Sequence, residues 1–341
     1  MANFAIYISA GLGNTVFLLP LIKRLCTIGK VTIITDNPFG SHEIIQSMQP
    51  TIVKAQIEIS SLSDYTKLIP CVFKKFDVVY LDYFSATRKR IMLSHFIAKR
   101  IVTNRIPPTL NERFRQKITF VEPKPRYHEG AQYMRFFDRK FEDSALNESD
   151  FSLFETEASR KNLVTIQPGA GNSKTPWKIW PLDKWISLLK QIRQHFPEYE
   201  LMILGDSTES HLSPYFKQLG SNVTIKIGQT EVKELPNIIK QSRLHIGGDS
   251  GITHLAGAVK TPTITIAGGS DPSLFGWHKV NSNKHILIQH ELKCHPCYRW
   301  YLPNKSRVKH ASQCPDFKCI REIQVDEVFS EVNKQLKQYV S

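Results

Sequence analysis

The segment spanning residues 243–276 narrows the choice of fold more than any other part of the chain. An apolar run at residues 244–246 is typical of a buried strand and ends at two glycines. A helical pattern with apolar residues on one face follows, and a second strand-like run covers residues 263–267. Strand, glycine turn, helix and strand in this order predict a βαβ unit.

The turn in front of this helix carries residue types that bind anions. It contains Asp249, Ser250 and Gly251, and His254 follows one helical turn later. In an open α/β sheet such a turn lies at the carboxyl ends of the strands, where ligands bind. Free backbone N–H groups and the positive end of the helix dipole favour a phosphate there. A histidine on an apolar helix face is ordinarily a core residue, but beside this turn we interpret His254 as facing the same ligand.

Strand-like and helix-like segments alternate along the whole chain and predict two successive α/β units. The first half opens with a strand at residues 4–8, the loop Gly11-Leu12-Gly13-Asn14 and an amphipathic helix. Residues 142–157 contain acidic residues and serines with little periodicity, so they are predicted to form the linker. Further predicted strands are 31–35, 52–57, 78–81, 101–103, 163–167 and 201–204.

The net charge of the chain and the lengths of its apolar runs restrict the kinds of partner that the protein can bind. The 341 residues carry a formal net charge of +14, and residues 85–126 hold eleven Lys or Arg against Glu112 and Glu122. This concentration favours a docking surface for a phosphorylated acceptor or for anionic lipid headgroups, whereas no motif in the sequence indicates a nucleic acid. No apolar run approaches the roughly 20 residues of a membrane-spanning helix, and the first residues lack the features of a signal peptide. We therefore expect a cytoplasmic protein, with peripheral contact at the inner membrane as the alternative.

Short motifs in a fixed order point to one known family. They are Gly11-Leu12-Gly13-Asn14 with Leu19-Pro20, Pro168-Gly169-Ala170 with Lys178-x-Trp180-Pro181, Gly205 with Glu209, Asp249-Ser250-Gly251-x-x-His254, and Gly269-Ser270-Asp271-Pro272. In this order and spacing, over nearly the whole chain, the sequence resembles the ADP-heptose lipopolysaccharide heptosyltransferases of glycosyltransferase family nine. The resemblance implies the GT-B arrangement, an α/β fold in which two Rossmann-like domains face each other across a cleft.

The resemblance also implies how the domains divide the work. Residues 1–150 would bind the acceptor, residues 160–325 with a Cys-rich loop at 290–320 would bind the nucleotide sugar, and residues 326–341 would form a C-terminal helix. The implied activity is inverting transfer of heptose or a related sugar from an ADP-sugar to a lipopolysaccharide core or similar anionic glycan, with no cofactor in the chemistry. Lys178 would meet the diphosphate as a point charge, and Glu209 would meet the ribose hydroxyls. The other implied donor-site residues are Gly13, Ala170, Asp249, Ser250, Gly251 and His254.

The first loop departs from the family pattern at position 14. Family members usually have Gly-Asp there, the Asp being the expected general base, whereas this chain has Asn14. An amide does not accept a proton at neutral pH, so the base is missing from its expected place. Three accounts stay open: Asp82 or His128 serves instead, Asn14 only orients the acceptor in a slow enzyme, or the chain binds a sugar nucleotide without transferring it. The candidate catalytic residues are therefore Asn14, Asp82 and Lys178, although Asp82 has the alternative role of capping the next helix.

A nicotinamide-dependent oxidoreductase is disfavoured because the glycine fingerprint is incomplete.

Four of the six cysteines fall in two close pairs near the end of the chain. Cys294-x-x-Cys297 is followed by Cys314-x4-Cys319, and no regular structure is predicted between the pairs. Two pairs at this separation are typical of a structural zinc or iron site with four thiolate ligands. His295 and His310 are spare candidate ligands, and reduced cysteines in a packed loop are the alternative. A metal here would fold the loop and take no part in the chemistry.

Overall fold

The computed structural model describes residues 1–9, 11–36, 40–48, 53, 55–155, 159–171, 176–297 and 313–338. The chain divides into two units, Met1–Glu155 and Thr156–Ser341, each built around one parallel β-sheet. Part of the predicted strand at 52–57, part of the loop at 290–320 and the candidate ligand His310 lie outside the described residues. Among the helices of the described segments, none is long and apolar enough to cross a membrane.

The first unit holds a six-stranded parallel sheet. Its strands are β1 (Ala2–Ile8), β2 (Gly29–Thr35), β3 (Ala55–Glu58), β4 (Phe76–Leu81), β5 (Ala98–Thr103) and β6 (Ile118–Phe120). Their order across the sheet is β3-β2-β1-β4-β5-β6. The central strands β1 and β4 are nearly continuous apolar runs because parallel strands are covered on both faces.

Within the described residues, six α-helices flank this sheet. They are α1 (Leu12–Cys26), α2 (Ser41–Gln46), α3 (Ile69–Phe73), α4 (Arg88–Ile97), α5 (Glu129–Phe137) and α6 (Glu148–Phe151). Helix α1 begins directly after Gly11, and its residues Val16, Leu19, Ile22 and Leu25 are fully buried, as their helical spacing predicts.

The second unit repeats the same plan. Its strands are β7 (Leu163–Gln167), β8 (Glu200–Ile203), β9 (Val223–Ile225), β10 (Leu244–Gly248), β11 (Thr263–Ile266) and β12 (His285–Ile288), in the order β12-β11-β10-β7-β8-β9. Its described helices are α7 (Leu182–His195), α8 (Ser213–Lys217), α9 (Leu235–Lys240), α10 (Gly251–Ala258), α11 (Pro272–Phe275), α12 (Lys318–Arg321) and α13 (Val325–Lys337). Trp177 and Trp180 lie in its hydrophobic core, so both rings are packing residues.

The two sheets have the same strand order when each is counted from its own first strand. The first strand lies between the second and the fourth, and the winding direction changes between the first and the fourth. In doubly wound sheets, ligands bind outside the carboxyl ends of the strands at this switch point. There β1 is followed by the N-terminus of α1 and β4 by Asp82, whereas β7 and β10 lead into the 168–171 loop and Asp249. The predicted α/β class with two Rossmann-like units is confirmed.

Two parts of the fold differ from the sequence prediction. The sequence predicts a linker at residues 142–157, but α6 lies there, begins at a capping box formed by Asn147 and Asp150, and buries Phe151 in the first unit. The sequence predicts none of β6, β9 and β12, because each has only three or four residues and is partly exposed.

Candidate functional site

Three predicted donor-site residues form one ionic cluster in the second unit. Asp249 directly follows β10, and His254 lies on α10, one turn after the N-cap residue Ser250. The Lys178 Nζ atom lies 2.7 Å from Asp249 Oδ2, and His254 Nε2 lies 3.1 Å from Asp249 Oδ1. The side chain of Asp249 is 3% exposed and that of Lys178 is 22% exposed, so the cluster reaches solvent on its lysine side.

The two partners stabilise the charge of Asp249. Burial alone would raise the pKa of this carboxyl, but the Lys178 ammonium and the hydrogen bond with His254 outweigh burial and hold the pKa well below its usual range. Asp249 is therefore ionised at neutral pH and fixes a cation and an imidazole beside the N-terminus of α10. An anion bound there would also meet first-turn N–H groups, which have no carbonyl partner within a helix.

Two glycines bring the backbone that carries Lys178 close to the ends of the strands. A Cβ atom on Gly248 would lie 2.9 Å from the carbonyl oxygen of Lys178, and one on Gly268 would lie 1.9 Å from the carbonyl oxygen of Trp177. Both separations are shorter than a Cβ atom tolerates against backbone, so these positions require glycine. The close approach lets Lys178 reach Asp249 from a separate loop.

A chain of buried hydrogen bonds holds the start of α10. The Ser250 hydroxyl donates to Gln167 Oε1 and lies 3.2 Å from Thr253 Oγ1. Thr253 Oγ1 lies 3.2 Å from His245 Nε2, and His245 Nδ1 lies 3.0 Å from Thr165 Oγ1. Burial lowers the pKa of His245 to about 3, so its ring is neutral at neutral pH, with one donor and one acceptor nitrogen. The chain fixes Ser250 and therefore the position of the helix N-terminus.

Glu209, the predicted ribose contact, bridges two loops at the carboxyl edge of the sheet. Its Oε1 accepts a hydrogen bond from the Gly171 N–H at 2.9 Å, and its Oε2 accepts one from the Asp206 N–H at 3.0 Å. Burial raises the pKa of this carboxyl. Each oxygen keeps a second lone pair, so Glu209 can hold the loop that contains Ala170 and still accept from a ligand hydroxyl.

In the first unit, three polar groups meet at the corresponding end of the sheet. Asp82 is buried after β4, where its Oδ1 accepts from the Ser85 N–H at 2.7 Å and its Oδ2 accepts from the Tyr133 hydroxyl at 3.4 Å. Asn14, on the first turn of α1, interacts with the same Tyr133 hydroxyl. Burial raises the pKa of Asp82 by more than these hydrogen bonds lower it. Asp82 is thus a better proton acceptor than an exposed carboxylate, and Tyr133 connects it to position 14.

The structure shows the local roles of Asp82 and His128 in the first unit. Helix α4 is capped by Thr87, so Asp82 caps the preceding turn and not this helix. His128 is the buried N-cap of α5, where its Nδ1 accepts a backbone hydrogen bond and its ring packs edge-on against two phenylalanines. His128 therefore has a structural role as the N-cap of α5. Gly13 lies on α1 in the first unit, whereas the other predicted donor-site residues lie in the second.

The described parts of the Cys-rich loop bring the four predicted thiols into one neighbourhood. Cys294, His295 and Cys297 have ligand atoms that all lie within 4.8 Å of one another. Burial and the charges of Cys294, Cys319 and Cys314 raise the pKa of Cys297 to about 12. Burial and the charges of Cys314 and Cys294 raise the pKa of Cys319 to about 11. Cys314 and Cys319 therefore lie in the neighbourhood of Cys297, but the ligand atoms found within 4.8 Å of one another among the described residues are those of Cys294, His295 and Cys297.

Sequence reasoning missed several members of these networks. Tyr133 belongs to none of the sequence motifs, and Gln167 is predicted only as the end of a strand. Thr253 occupies an unspecified position inside the Asp249 to His254 motif. His245 offered the one usable signal, a titratable residue in the middle of an apolar strand.

Comparisons with known proteins agree with the motif order. The family model for glycosyltransferase family 9 (heptosyltransferase) matches residues 119–306, which is more than half of the chain. The lipopolysaccharide heptosyltransferase 1 of Campylobacter coli is 35% identical over 164 residues, which cover 45% of this chain and 47% of that protein. The match therefore spans about half the length of this curated relative.

Solved structures with low sequence identity share the fold. The E. coli ADP-heptose lipopolysaccharide heptosyltransferase II has a TM-score of 0.71 at 16% identity, covering 99% of this chain and 100% of that one. The dodecameric iron-containing heptosyltransferase TibC of enterotoxigenic E. coli, in complex with ADP-D-β-D-heptose, has a TM-score of 0.56 at 14% identity and covers 99% and 76%. These likenesses establish the GT-B type of fold. With the family model matched over more than half of its length, the chain belongs to glycosyltransferase family 9, the heptosyltransferase family.

Proposed function

We propose that the protein is an inverting glycosyltransferase that moves heptose or a related sugar from an ADP-sugar to a lipopolysaccharide core or a similar anionic glycan. The observation that carries the proposal is the cluster of Lys178, Asp249 and His254 beside the N-terminus of α10. The family and the names of its relatives support the sugar, the nucleotide and the acceptor class.

The cluster is suited to the leaving group of such a reaction. Transfer breaks the bond between the anomeric carbon and a diphosphate oxygen, so negative charge builds on the departing ADP. The Lys178 ammonium and the first-turn N–H groups of α10 are held in place before the reaction and would stabilise that charge. Asp249 orients Lys178 and His254 and is too buried to meet the phosphate itself. These groups supply positive charge without a metal ion in the chemistry.

The loops next to the cluster suit the rest of the donor. Glu209 would accept hydrogen bonds from the ribose hydroxyls with its remaining lone pairs. Its two backbone bonds hold the 169–171 loop, so Ala170 lies at the carboxyl edge of the same sheet.

On the acceptor side, we propose that Asp82 acts as the general base through Tyr133: the Tyr133 hydroxyl takes the proton of the attacking hydroxyl and gives its own proton to Asp82 Oδ2. The raised pKa of Asp82 suits a general base, and the Tyr133 hydroxyl lies between Asp82 and Asn14. Asn14 would then orient the acceptor hydroxyl and would not take its proton.

Calorimetry with ADP and no added divalent ion tests the donor half of the proposal. We expect binding in the micromolar range, and we expect Lys178→Ala and His254→Ala each to weaken it by at least about tenfold, the size of one lost charge-assisted contact. Lys190→Ala, a change on the exposed face of α7, is the matched control and should leave affinity unchanged. Absence of ADP binding by the unaltered protein would overturn the proposal.

Asn14 favours a second candidate, a sugar-nucleotide-binding protein that has lost transfer. The two candidates predict the same ADP affinity and differ only in turnover. Incubation with an ADP-sugar and a purified lipopolysaccharide core acceptor distinguishes them, because only a transferase forms a glycosylated product. Product formation that stops in Asp82→Asn but continues in Glu122→Gln, a change in the first unit away from this cluster, would identify the transferase and its base.

We further propose that the four cysteines hold a structural zinc or iron ion. The Cys297 N–H donates to the Gly269 carbonyl at 2.9 Å, and a Cβ atom on Gly269 would lie 3.3 Å from Cys297 Sγ. The adjacent Gly268 contacts Trp177, which precedes Lys178. A metal bound to the thiolates would therefore hold in place the loop that packs against the backbone next to Lys178. Its role would be structural, and it would take no part in the reaction. The name of the iron-containing relative supports iron as one choice.

Metal analysis of the purified protein tests this second proposal. We expect about one equivalent of zinc or iron in the unaltered protein and its loss in the double variant Cys294→Ser and Cys297→Ser. Cys26→Ser, a change in the first unit, should retain the metal. Less than a tenth of an equivalent, in protein purified without chelators, would favour reduced cysteines in a packed loop.

A further inference from the structure

An exposed apolar segment of the first unit has no role in the chemistry proposed above. It comprises a 3₁₀ helix, Ser63–Leu68, and helix α3, and none of the five residues of α3 is buried. Leu62 and Phe73, at its two ends, are 88% and 84% exposed, and Ile69 and Val72 are exposed between them. These four side chains lie within twelve consecutive residues, and grouped exposed apolar side chains of this kind usually mark an interaction site.

The opposite side of the same segment explains why it folds. Leu68 is buried in the core of the first unit, and Tyr65 and Cys71 pack against that core. The segment is therefore apolar on both sides, one of which packs on the sheet while the other faces solvent. Packing against the core explains the apolar residues on the inner side only, and not those that face solvent.

Basic residues surround the exposed side. Lys67, Lys74 and Lys75 are exposed within or directly after the segment. The carboxylate within it, Asp64, pairs with Lys67 at 2.6 Å. Net positive charge therefore remains around the apolar side chains.

Helix α4 packs on α3 and extends this surface. Phe96, near its C-terminus, is exposed. The neighbouring His95 has a pKa lowered by burial and by the charges of Lys117, Lys75 and Arg113, which places three cations around the end of the helix. Leu62, Ile69, Val72, Phe73 and Phe96, with Lys67, Lys74 and Lys75, are called the α3 surface below. It holds five of the nine large apolar side chains that are exposed among the described residues.

We propose that the α3 surface docks the protein on an anionic lipid bilayer. Leu62 and Phe73 would enter the headgroup region, and the lysine ammonium groups would contact lipid phosphates. A protein partner fits less well because lysine is depleted from protein interfaces. A nucleic acid would use the cations but would leave the aliphatic side chains exposed to water. The inference rests on exposure and charge and does not depend on the donor chemistry proposed above.

Sedimentation of the full chain with lipid vesicles tests the inference. We expect binding to vesicles of phosphatidylcholine mixed with phosphatidylglycerol, weaker binding to phosphatidylcholine alone, and a decline of binding as salt is added. Equal binding to both vesicle types, or none to either, would overturn the proposal.

Charge variants locate the surface. The double variant Lys74→Glu and Lys75→Glu should lower the partition coefficient on anionic vesicles by at least about tenfold, because each basic residue near such a surface contributes roughly a fivefold factor. Its control is Lys190→Glu with Lys217→Glu, which makes the same change in net charge on exposed helices of the second unit. An equal loss in both double variants would mean that net charge alone governs binding and would overturn the assignment of this surface.

Apolar variants separate a bilayer from a protein partner. Leu62→Ser with Phe73→Ser should lower vesicle binding by at least about tenfold, since two large apolar side chains would no longer be buried. The control, Ile28→Ser with Tyr215→Ser, removes two other exposed apolar side chains and should bind vesicles like the unaltered protein. If the α3 surface variant instead binds vesicles normally and converts a dimer to a monomer, the surface joins two copies of the chain and the proposal is wrong. ADP affinity and transfer to a lipid-free acceptor should be unchanged in every variant, so a failure here is distinct from a failure of the proposed transferase.

Discussion

The substitution Gly169→Ala tests whether the Glu209 carboxylate holds together two loops of the donor site. A Cβ atom on residue 169 would lie 1.7 Å from Glu209 Oε1, where no side chain fits. The carboxylate would have to leave its place, and the N–H groups of Gly171 and Asp206 would lose the acceptor that now lies 2.9 and 3.0 Å away.

The expected cost follows from those two bonds. A hydrogen bond to a charged group contributes about 1.5–3 kcal/mol, so the loss of both costs about 3–6 kcal/mol. Replacing glycine by alanine returns about 0.4–1 kcal/mol through the entropy of the unfolded chain. The free energy of unfolding of the second unit should therefore fall by about 2–5 kcal/mol, which lowers its Tm by roughly 4–20 °C for a unit of this size.

Tryptophan fluorescence isolates the unit concerned, because all five tryptophans of the chain lie between residues 177 and 300. Urea unfolding followed by fluorescence therefore reports the second unit and not the first. ADP affinity, measured on the same samples below the unfolding transition, should fall together with stability because the proposed ribose contact of Glu209 moves.

A double-mutant cycle identifies the cause. In the background of Glu209→Ala the carboxylate is gone, so Gly169→Ala should cost almost nothing, and the coupling energy should equal the cost of the single variant. Gly11→Ala is the matched control, since its added Cβ would meet no atom within 4 Å; we expect it to change stability, followed by circular dichroism, by less than about 0.5 kcal/mol. Additive costs of Gly169→Ala and Glu209→Ala, within about 0.5 kcal/mol, would refute the reasoning.

Three further predictions concern the networks on either side of the reaction. Asp249 has a lowered pKa in the folded protein, so its contribution to stability is present above its unfolded pKa of about 4 and is lost as pH falls below it. When urea unfolding is measured across this pH range, the free energy of unfolding should fall less steeply with decreasing pH in Asp249→Asn than in the unaltered protein. The same slope in both proteins would contradict the ionic cluster. His245→Leu should destabilise the second unit by about 2–4 kcal/mol, because the buried hydroxyls of Thr165 and Thr253 lose their partner. Calorimetry should also find weaker ADP binding. A loss of stability with full ADP affinity would show that this chain of hydrogen bonds does not position Ser250. Because Asp82 already serves as the base in the proposed mechanism, Asn14→Asp should raise the rate of ADP release with acceptor by less than about tenfold. A gain of roughly 10²–10⁴, the contribution of a general base, would mean that the unaltered protein lacks a base and would contradict the role proposed for Asp82.

The central part of the fold could be predicted from the sequence because its signals are local. Parallel strands such as β1, β7 and β10 are short apolar runs, and α1 and α7 repeat apolar residues at helical spacing. Three of the four edge strands, β6, β9 and β12, could not be predicted because each has only three or four residues and is partly exposed. The boundary between the two units falls within the predicted linker, but α6 inside that range could not be predicted because it is only four residues long and is held by a capping box and one buried ring.

The contacts of the candidate site that could be predicted are likewise local, and the contacts that could not be predicted join distant parts of the chain. Asp249, Ser250 and His254 lie within six residues and form a recognisable motif, so their meeting could be predicted. The contact between Tyr133 and Asp82 joins residues 51 positions apart, and nothing in either local pattern indicates it. The place of Lys178 likewise depends on two glycines in other strands and turns, whose function is visible only once the backbones approach.

The two aspartates that follow the fourth strand of each sheet show how one fold position can serve opposite purposes. Asp82 follows β4 and Asp249 follows β10, each beside the switch point of its own sheet. Both are buried, yet the pKa of Asp249 is lowered because Lys178 is in contact with it, whereas the pKa of Asp82 is raised because its contacts are neutral hydrogen-bond donors that do not outweigh burial. A carboxylate that stays ionised suits the task of holding a cation for a departing diphosphate, and one with a raised pKa suits the task of accepting a proton. In the proposed mechanism, the identity of the contacting side chain, a lysine in one unit and a tyrosine in the other, therefore decides which unit would stabilise the leaving group and which would accept the proton.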